Sequence, residues 1–216
     1  MSAAADDAAG RPARLAPWQV LASQELFVRA PWLSVHQEQV QLPSGRVVND
    51  FYRVVLPEFA LVVPTTPEGL FVMVRGYKHG ARQVALSPPA GLLGPGEAPQ
   101  AAAARELLEE TGYAAKNWRS LGRFVADGNR QCGAMHLFLA SDAQPAAAVQ
   151  EDDTEVLNVE LLTREELLKA IGCGEIATLA AAAGIGLALA LRASGAPVES
   201  QAATAQEVPS VGRALS

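Results

Sequence analysis

The sequence predicts an α+β fold, and three features of its hydrophobic pattern carry that prediction. Short apolar or alternating segments, typical of strands, fill the first third of the chain and flank one helical segment near its centre. Further helical patterns appear only towards the C-terminus. Strands and helices do not alternate regularly, which argues against a repeated βαβ array. The 216 residues, half of them hydrophobic, are enough for one domain of good size.

The first third of the chain is predicted to be antiparallel β-structure. The segment SVHQEQVQL alternates loosely, VVNDFYRVVL resumes the pattern, and Pro43–Arg46 between them is a turn sequence. A β-hairpin with this turn at its tip is therefore predicted. Four later apolar segments are also strand-like, namely FALVVPTT, LFVMVRGY, WRSLGRFVA and AMHLFLASD.

Two helices are predicted towards the C-terminus. TEVLNVELLT alternates as a strand and leads into REELLKAI, with Thr163 and Glu166 at the spacing of a capping box. The segment Ile176–Leu191 is uncharged, but it is shorter than the roughly 20 residues that span a bilayer, so we expect a buried helix. Residues 1–17 and 194–216 lack periodicity, and we expect disordered tails there.

Composition argues against several classes of partner. The net charge of −6 and the lack of a basic stripe argue against binding to a nucleic-acid polymer. The N-terminus has no apolar core typical of a secretory signal, and no membrane anchor is expected. The two cysteines form no CxxC pair and no disulfide framework, which fits a reducing cytoplasm.

The central helix is predicted from the segment GLLGPGEAPQAAAARELLEETGY. Pro99 suits a first helical turn, the alanines and leucines that follow are strong helix formers, and Gly112 suits the position just after a last turn. The helix is therefore predicted to cover Pro99–Thr111.

This helix carries three glutamates where a helix favours positive charge. Glu106, Glu109 and Glu110 share one side near the C-terminal end. Like charges at this spacing repel, and the helix dipole disfavours each anion there by up to about 1 kcal/mol. Arg105, four residues before Glu109, is expected to relieve one repulsion only.

Two interpretations of this acidic cluster are open. One is a solvated helix face, and the other is a site for divalent cations such as Mg²⁺, which take oxygen ligands at close range. The GPGE loop before the helix lets the backbone approach the same ions, and Glu97 within it could be a further ligand. The carboxylates are tolerable together if cations lie among them.

The spacing of this segment resembles the signature of the Nudix hydrolases over its whole length. The resemblance implies an α/β/α sandwich, the Nudix fold, and metal-dependent hydrolysis of a nucleoside diphosphate linked to another group. Mg²⁺ is the implied cofactor, with Mn²⁺ as an alternative, and Arg105 is implied to hold the glutamates in place. The matching positions are Gly91, Glu97 and the run Arg105, Glu106, Leu107, Leu108, Glu109, Glu110, Thr111, Gly112 and Tyr113.

The resemblance also implies roles within the motif. Glu106, Glu109 and Glu110 correspond to metal ligands, and the last two are implied to be the most critical for catalysis. Glu97 corresponds to an additional or indirect ligand. Gly91 belongs to the metal-binding loop, where it serves the loop geometry.

A wider resemblance, to the ADP-ribose pyrophosphatases, covers roughly residues 18–190. The segment from Trp18 to Val55 resembles their N-terminal β-extension, which exchanges between subunits and makes a dimer. The resemblance implies an antiparallel β-extension over 18–60, a Nudix hydrolase domain over 61–193, and a homodimer. VMVRGYKHG resembles their strand with a substrate-facing arginine, here Arg75.

Residues outside the motif are candidates for substrate binding and proton transfer. Arg75 and Arg130 could contact phosphate or ribose, with a surface position as the alternative. Trp32 could stack on adenine, with a place in the core as the alternative. In QEDDTE, either Glu151 or Asp153 could orient or deprotonate water, as in the ADP-ribose group, and a solvated loop is the alternative.

The leading functional hypothesis is hydrolysis of the pyrophosphate bond in ADP-ribose or a related nucleoside diphosphate sugar, giving AMP and a sugar phosphate. A GDP-mannose-type or broad-range nucleotide-sugar diphosphatase is a second hypothesis, because the region around Gly128 lacks a proline that ADP-ribose hydrolases often carry. A Nudix domain that senses a nucleotide without cleaving it is a third. The intact set of motif carboxylates disfavours that third hypothesis.

Overall fold

A computed structural model describes residues 15–148 and 156–193. This part of the chain contains twelve strands and three helices, so the predicted α+β class is confirmed. The chain divides into two compact units. Of the described residues, the first unit comprises 15–56 and 128–132, and the second comprises 57–127, 133–148 and 156–193.

The first unit is an antiparallel sheet of β1 (Gln19–Arg29), β2 (Leu33–Gln41) and β3 (Val47–Val55). The predicted hairpin between β2 and β3 is confirmed. Its turn is closed by hydrogen bonds from the Leu42 amide to the Arg46 carbonyl (2.8 Å) and from the Gly45 amide to the Leu42 carbonyl (2.9 Å). The strand pattern did not predict β1, whose side chains are exposed along its whole length.

The second unit is built around β4 (Phe59–Pro64). The later strands are β5 (Phe71–Lys78), β6 (Gln83–Ser87), β7 (Ala90–Leu92), β8 (Tyr113–Ala114), β9 (Asn117–Asp127), β10 (Gln131–Ser141), β11 (Gln144–Pro145) and β12 (Leu157–Leu162). Strand β4 runs parallel to β10 and antiparallel to β7, while β9 pairs with β10. A separate antiparallel sheet has the order β12, β5, β6, and the short strands β8 and β11 pair with each other.

Helices cover both faces of β4, which explains why its sequence is apolar throughout rather than alternating. Ala60 and Val62 pack on one face against α1 (Pro99–Thr111). Leu61 and Val63 pack on the other face with residues of α2 (Arg164–Gly172) and α3 (Leu179–Ala193). The sheet between two helical layers is the α/β/α arrangement that the resemblance implied.

The two later helices have identifiable start signals. Thr163 caps α2, and its hydroxyl oxygen accepts from the Glu166 amide at 3.2 Å, which confirms the predicted capping box. Helix α3 begins at Leu179, three residues later than predicted, because the Thr178 side chain accepts from the Ala181 amide and ends the preceding loop. No helix in the described ranges is long and apolar enough to cross a membrane.

Candidate active site

Helix α1 places the acidic residues of the motif, and its observed bounds are those predicted. Pro99 stands in the first turn, where a missing amide hydrogen is tolerated. Gly112 ends the helix with φ of 72°, and its amide donates to the Leu108 carbonyl at 2.8 Å. Leu107 is fully buried against the sheet, which leaves the glutamates around it at the edge of the packed face.

Gly91 lets the Glu106 side chain lie directly against β7. A Cβ atom at position 91 would lie 1.9 Å from Glu106 Oε1, so any larger residue would displace this carboxylate. The Glu106 side chain is only 14% exposed. The glycine of the motif is therefore required by the close approach of a carboxylate to the backbone.

Glu110 is buried next to the same strand. The residue is 8% exposed, and its Oε2 accepts a hydrogen bond from the Ala90 amide at 3.1 Å. An ionised carboxylate in such a place needs compensation by hydrogen bonds or by a positive charge. Gly91, the residue after Ala90, lies against the Glu106 carboxylate, so Glu106 and Glu110 both contact β7.

Arg105 binds three carboxylates, and the expectation that it relieves one repulsion only is wrong. Its Nη1 donates to Glu106 Oε1 at 2.6 Å and to Glu109 Oε2 at 2.9 Å, while its Nε donates to Glu97 Oε1 at 3.0 Å. The helical spacing alone showed only the Glu109 partner. The other contacts arise because a guanidinium has five donors and because the loop before α1 folds back over the helix.

The same contacts perturb the pKa values of the loop and helix groups. The hydrogen bonds from Arg105, and then that from the Gly94 amide, lower the pKa of Glu97. The carboxylates raise the pKa of Arg105, with Glu97 as the largest cause. Glu97 therefore stays ionised, and the loop is fixed to the helix.

The donor set suits a hard divalent cation. Four carboxylates, those of Glu97, Glu106, Glu109 and Glu110, are held around one guanidinium and the β7 backbone, and their oxygen atoms are the ligands that Mg²⁺ and Mn²⁺ prefer. Within the described residues, no three His, Cys, Asp or Glu side chains converge on a single metal-binding position. Arg105 lies among these carboxylates and binds three of them, those of Glu97, Glu106 and Glu109.

A second polar cluster, which the sequence did not reveal, lies beside this loop. The Glu58 carbonyl accepts from the Leu93 amide at 3.0 Å, and the Glu58 carboxylate binds Arg123 Nη2 at 2.5 Å and His136 Nε2 at 2.6 Å. The hydrogen bond from Arg123 lowers the pKa of Glu58 most, ahead of that from His136 and against the effect of burial. Glu58 lies just before β4, Arg123 on β9 and His136 on β10, so no local pattern joins them.

Arg75, predicted to bind substrate, lies in a different ion-pair cluster. Its Nε donates to Glu160 Oε1 at 2.5 Å, and its Nη2 donates to Glu175 Oε2 at 2.6 Å. Glu160 and then Glu175 raise the pKa of the guanidinium, and Arg75 in turn lowers the pKa of Glu175. Its charge is thus compensated by two carboxylates outside the motif, and a role in substrate binding stays a prediction.

The other predicted site residues are not placed with the acidic helix by this structure. Trp32 and Arg130 belong to the first unit, and both are exposed, so the alternative of Trp32 in the core is wrong. Glu151 and Asp153 lie outside the described residues, as do the two predicted tails except for residues 15–17. A role for any of these side chains in the reaction stays a prediction.

The fold and the acidic helix define a Nudix hydrolase, and the comparisons with known proteins agree. A family model described as NUDIX domain matches residues 56–180. A second model, described as nucleoside diphosphate sugar hydrolase N-terminal domain, matches residues 18–54. The chain belongs to the NUDIX family.

Individual relatives carry this relationship across most of the chain. An ADP-ribose pyrophosphatase of Bacillus subtilis is 30% identical over 159 residues, which cover 73% of this chain and 85% of the relative. The methanol dehydrogenase activator of Bacillus methanolicus is 32% identical over 139 residues, with 62% and 72% covered. A crystal structure of an ADP compounds hydrolase has the same fold, with a TM-score of 0.68, 22% identity and coverage of 84% and 97%.

Proposed function

We propose that this hydrolase cleaves the pyrophosphate bond of ADP-ribose or a related nucleoside diphosphate sugar and gives AMP and a sugar phosphate. One observation carries the proposal: the complete set of motif carboxylates is gathered at the edge of β7, where Gly91 leaves room for Glu106. The similarity to a Bacillus subtilis protein named ADP-ribose pyrophosphatase supports the choice of substrate.

The carboxylates and Arg105 have separate proposed roles in binding the metal ion. Glu106, Glu109 and Glu110 would hold Mg²⁺, and Glu97 would be an additional or indirect ligand. Mn²⁺ could take the place of Mg²⁺. When bound, the cation would lower the pKa of a water molecule and neutralise charge on the phosphate oxygens. Arg105 keeps the carboxylates in position before the ion binds, through its contacts with three of them.

In the reaction, the oxygen of water forms a new bond to phosphorus and the bridging P–O bond breaks. The proton released from water goes to a general base, for which we propose Glu151 or Asp153. The leaving phosphate oxygen takes up a proton from solvent or remains ionised. Arg75, Arg130 and Trp32 are the proposed contacts to the substrate's phosphate, ribose and base.

A broad-range nucleotide-sugar diphosphatase is the second candidate. The family model that matches residues 18–54 is described as a nucleoside diphosphate sugar hydrolase N-terminal domain. This description favours the second candidate, because it is not restricted to ADP-ribose. A GDP-mannose-type substrate would fall within this candidate.

We also propose that the protein is a homodimer formed through the N-terminal extension. Strand β1 is exposed on both faces although it carries large apolar side chains, and such a surface is typical of an interface between chains. These side chains are those of Val20, Leu21, Leu26, Phe27 and Val28. A cytoplasmic location is part of the same proposal, supported by two cysteines that form no disulfide.

A panel of substrates tests the proposed activity. The purified protein is incubated with ADP-ribose, GDP-mannose, UDP-glucose and ATP in the presence of Mg²⁺ or of EDTA, and the products are identified by mass spectrometry. We expect AMP and ribose 5-phosphate from ADP-ribose with Mg²⁺, and no turnover with EDTA. Efficient cleavage of GDP-mannose without cleavage of ADP-ribose would favour the second candidate, and turnover of neither would contradict both.

A further inference from the structure

A pocket of about 230 Å³ lies on the opposite side of β4 and β10 from the acidic helix. Its lining includes Val63 and Leu139, which belong to the core on the α2 and α3 side of the sheet, and Ala188 of α3. Helix α1 packs on the other face of the same two strands, against Val62 and Phe138. The pocket is therefore separate from the motif carboxylates.

The floor of this pocket is apolar and rigid. Val63, Phe71 and Ala188 are each at most 2% exposed, so their positions are fixed by core packing. Such a floor favours the apolar body of a small ligand, since each square ångström of apolar surface removed from water contributes about 25 cal/mol. The volume is below that of a typical drug-sized site, which limits the ligand to roughly a single ring.

Two arginines at this pocket carry charge that the protein does not compensate. Arg119 and Arg192 line it, and within the described residues neither forms an ion pair. Elsewhere in the described residues, Arg53, Arg75, Arg105 and Arg123 each bind one or more carboxylates, whereas exposed arginines such as Arg82 do not line this pocket and form no ion pair. In a chain with a net charge of −6, two arginines left without carboxylates at one pocket indicate a place for an external anion.

The surroundings orient these groups. The Arg192 guanidinium lies over the Phe71 ring, 5.5 Å from its centroid, which keeps the cation above the apolar floor. Arg119 follows Trp118 on β9. Since Trp118 packs on the α1 side, alternation points Arg119 to the pocket side. Asn117 also lines the pocket, and its amide nitrogen donates to Asp142 Oδ2 at 2.6 Å, so its oxygen remains an acceptor.

We propose that this pocket is a second binding site, for a small organic anion with a carboxylate or phosphate group on an apolar body of about one ring. The anionic group would bind Arg119 and Arg192, and the apolar body would lie against the partly buried side chain of Leu139. The site is independent of the proposed hydrolysis, because it uses no residue of the Nudix motif.

Calorimetric titration of the full-length protein with phenyl phosphate tests the proposal. EDTA in the buffer removes divalent cations, and benzoate replaces phenyl phosphate in a parallel titration to separate the two anionic groups. We expect saturable one-to-one binding of at least one of them, whereas the neutral analogue benzyl alcohol should bind about tenfold more weakly or worse, since it cannot pair with the guanidinium groups.

A double variant locates the site. Arg119→Gln combined with Arg192→Gln should weaken binding about tenfold or more, while Arg82→Gln, which removes an exposed arginine elsewhere, should leave the Kd unchanged. Replacing both pocket arginines by Lys should restore part of the affinity, because the charge is kept and the bidentate geometry is lost. No saturable binding of either anion, or equal affinity in the wild type and the double Gln variant, would overturn the proposal.

Discussion

At the scale of single residues, the motif is explained by charge compensation rather than by helix stability. Glu106, Glu109 and Glu110 repel each other and oppose the helix dipole, yet the fold gathers them and adds Glu97. Arg105 offsets part of this repulsion. The helical spacing was sufficient to predict that the three helix residues share one side. It could not predict the contact between Glu97 and Arg105, because that contact depends on how the preceding loop folds.

Replacing Gly91 by Ala should damage the site without unfolding the protein. The added Cβ would overlap the Glu106 carboxylate, which is the flexible end of a side chain and can move away. Since a displacement of about 1 Å in a catalytic group can cost about a hundredfold in rate, we expect kcat/KM for ADP-ribose to fall by at least about tenfold. Thermal denaturation should show little change in Tm.

Gly80→Ala is the matched control for this substitution. A Cβ at Gly80 meets no atom within 4 Å, and the residue does not have a positive φ, so neither activity nor Tm should change. Equal kcat/KM values for Gly91→Ala and wild type would show that the close approach of Glu106 to β7 is not needed for the reaction.

At the scale of secondary structure, elements with a strong local pattern were predictable and the others were not. Helix α1 was predicted to the residue because Pro99 and Gly112 mark its ends. The strand pattern missed β6 and β7, which are five and three residues long and too short to show a period. It also missed β1, since neither of its faces is buried and burial is what produces alternation.

Two glycines in α3 allow a direct test of how that helix packs on the sheet. A Cβ at Gly184 would lie 2.9 Å from Leu61 Cδ2 and 3.2 Å from Leu137 Cδ1, whereas one at Gly186 meets nothing within 4 Å. We expect Gly184→Val to lower the free energy of unfolding by about 1–3 kcal/mol through overpacking. Gly186→Ala should raise it by about 0.5–1 kcal/mol, because alanine favours the helix.

Urea denaturation measures both changes. Destabilisation by the two variants to the same extent would contradict the placement of Gly184 against the core, and a stabilised Gly184→Val variant would contradict it more strongly. Valine and alanine are both better helix formers than glycine, so propensity alone cannot make Gly184→Val destabilising.

At the scale of the whole molecule, the two compact units correspond to the two matching family models. The N-terminal model covers residues 18–54 and the NUDIX model covers 56–180, while the structure divides the chain after Leu56 and adds residues 128–132 to the first unit. The predicted boundary between 18–60 and 61–193 stays a prediction. The hydrophobic pattern could not predict whether two chains associate, because the exposure of the apolar side chains of β1 is seen only in the folded structure.

The proposed dimer depends on the apolar surface of β1. Light scattering coupled to size-exclusion chromatography should give twice the chain mass of 22.6 kDa for wild type. Combining Leu26→Glu with Val28→Glu should give the single chain mass, because two charges then face the interface. Gln24→Asn, a neutral polar replacement on the same strand, is a control that should remain dimeric. A wild-type protein with the mass of one chain would contradict the proposed homodimer.

We propose that the motif carboxylates are tolerated together because they hold a divalent cation beside a diphosphate. Electron paramagnetic resonance of Mn²⁺ binding, measured on wild type and Glu110→Gln, tests it most directly. Glutamine can still accept from the Ala90 amide, so the fold should persist while the charge is lost. We predict weaker Mn²⁺ binding and a loss of about a hundredfold or more in kcat/KM for ADP-ribose, with Glu165→Gln unchanged. Unaltered Mn²⁺ binding and turnover in Glu110→Gln would contradict the claim.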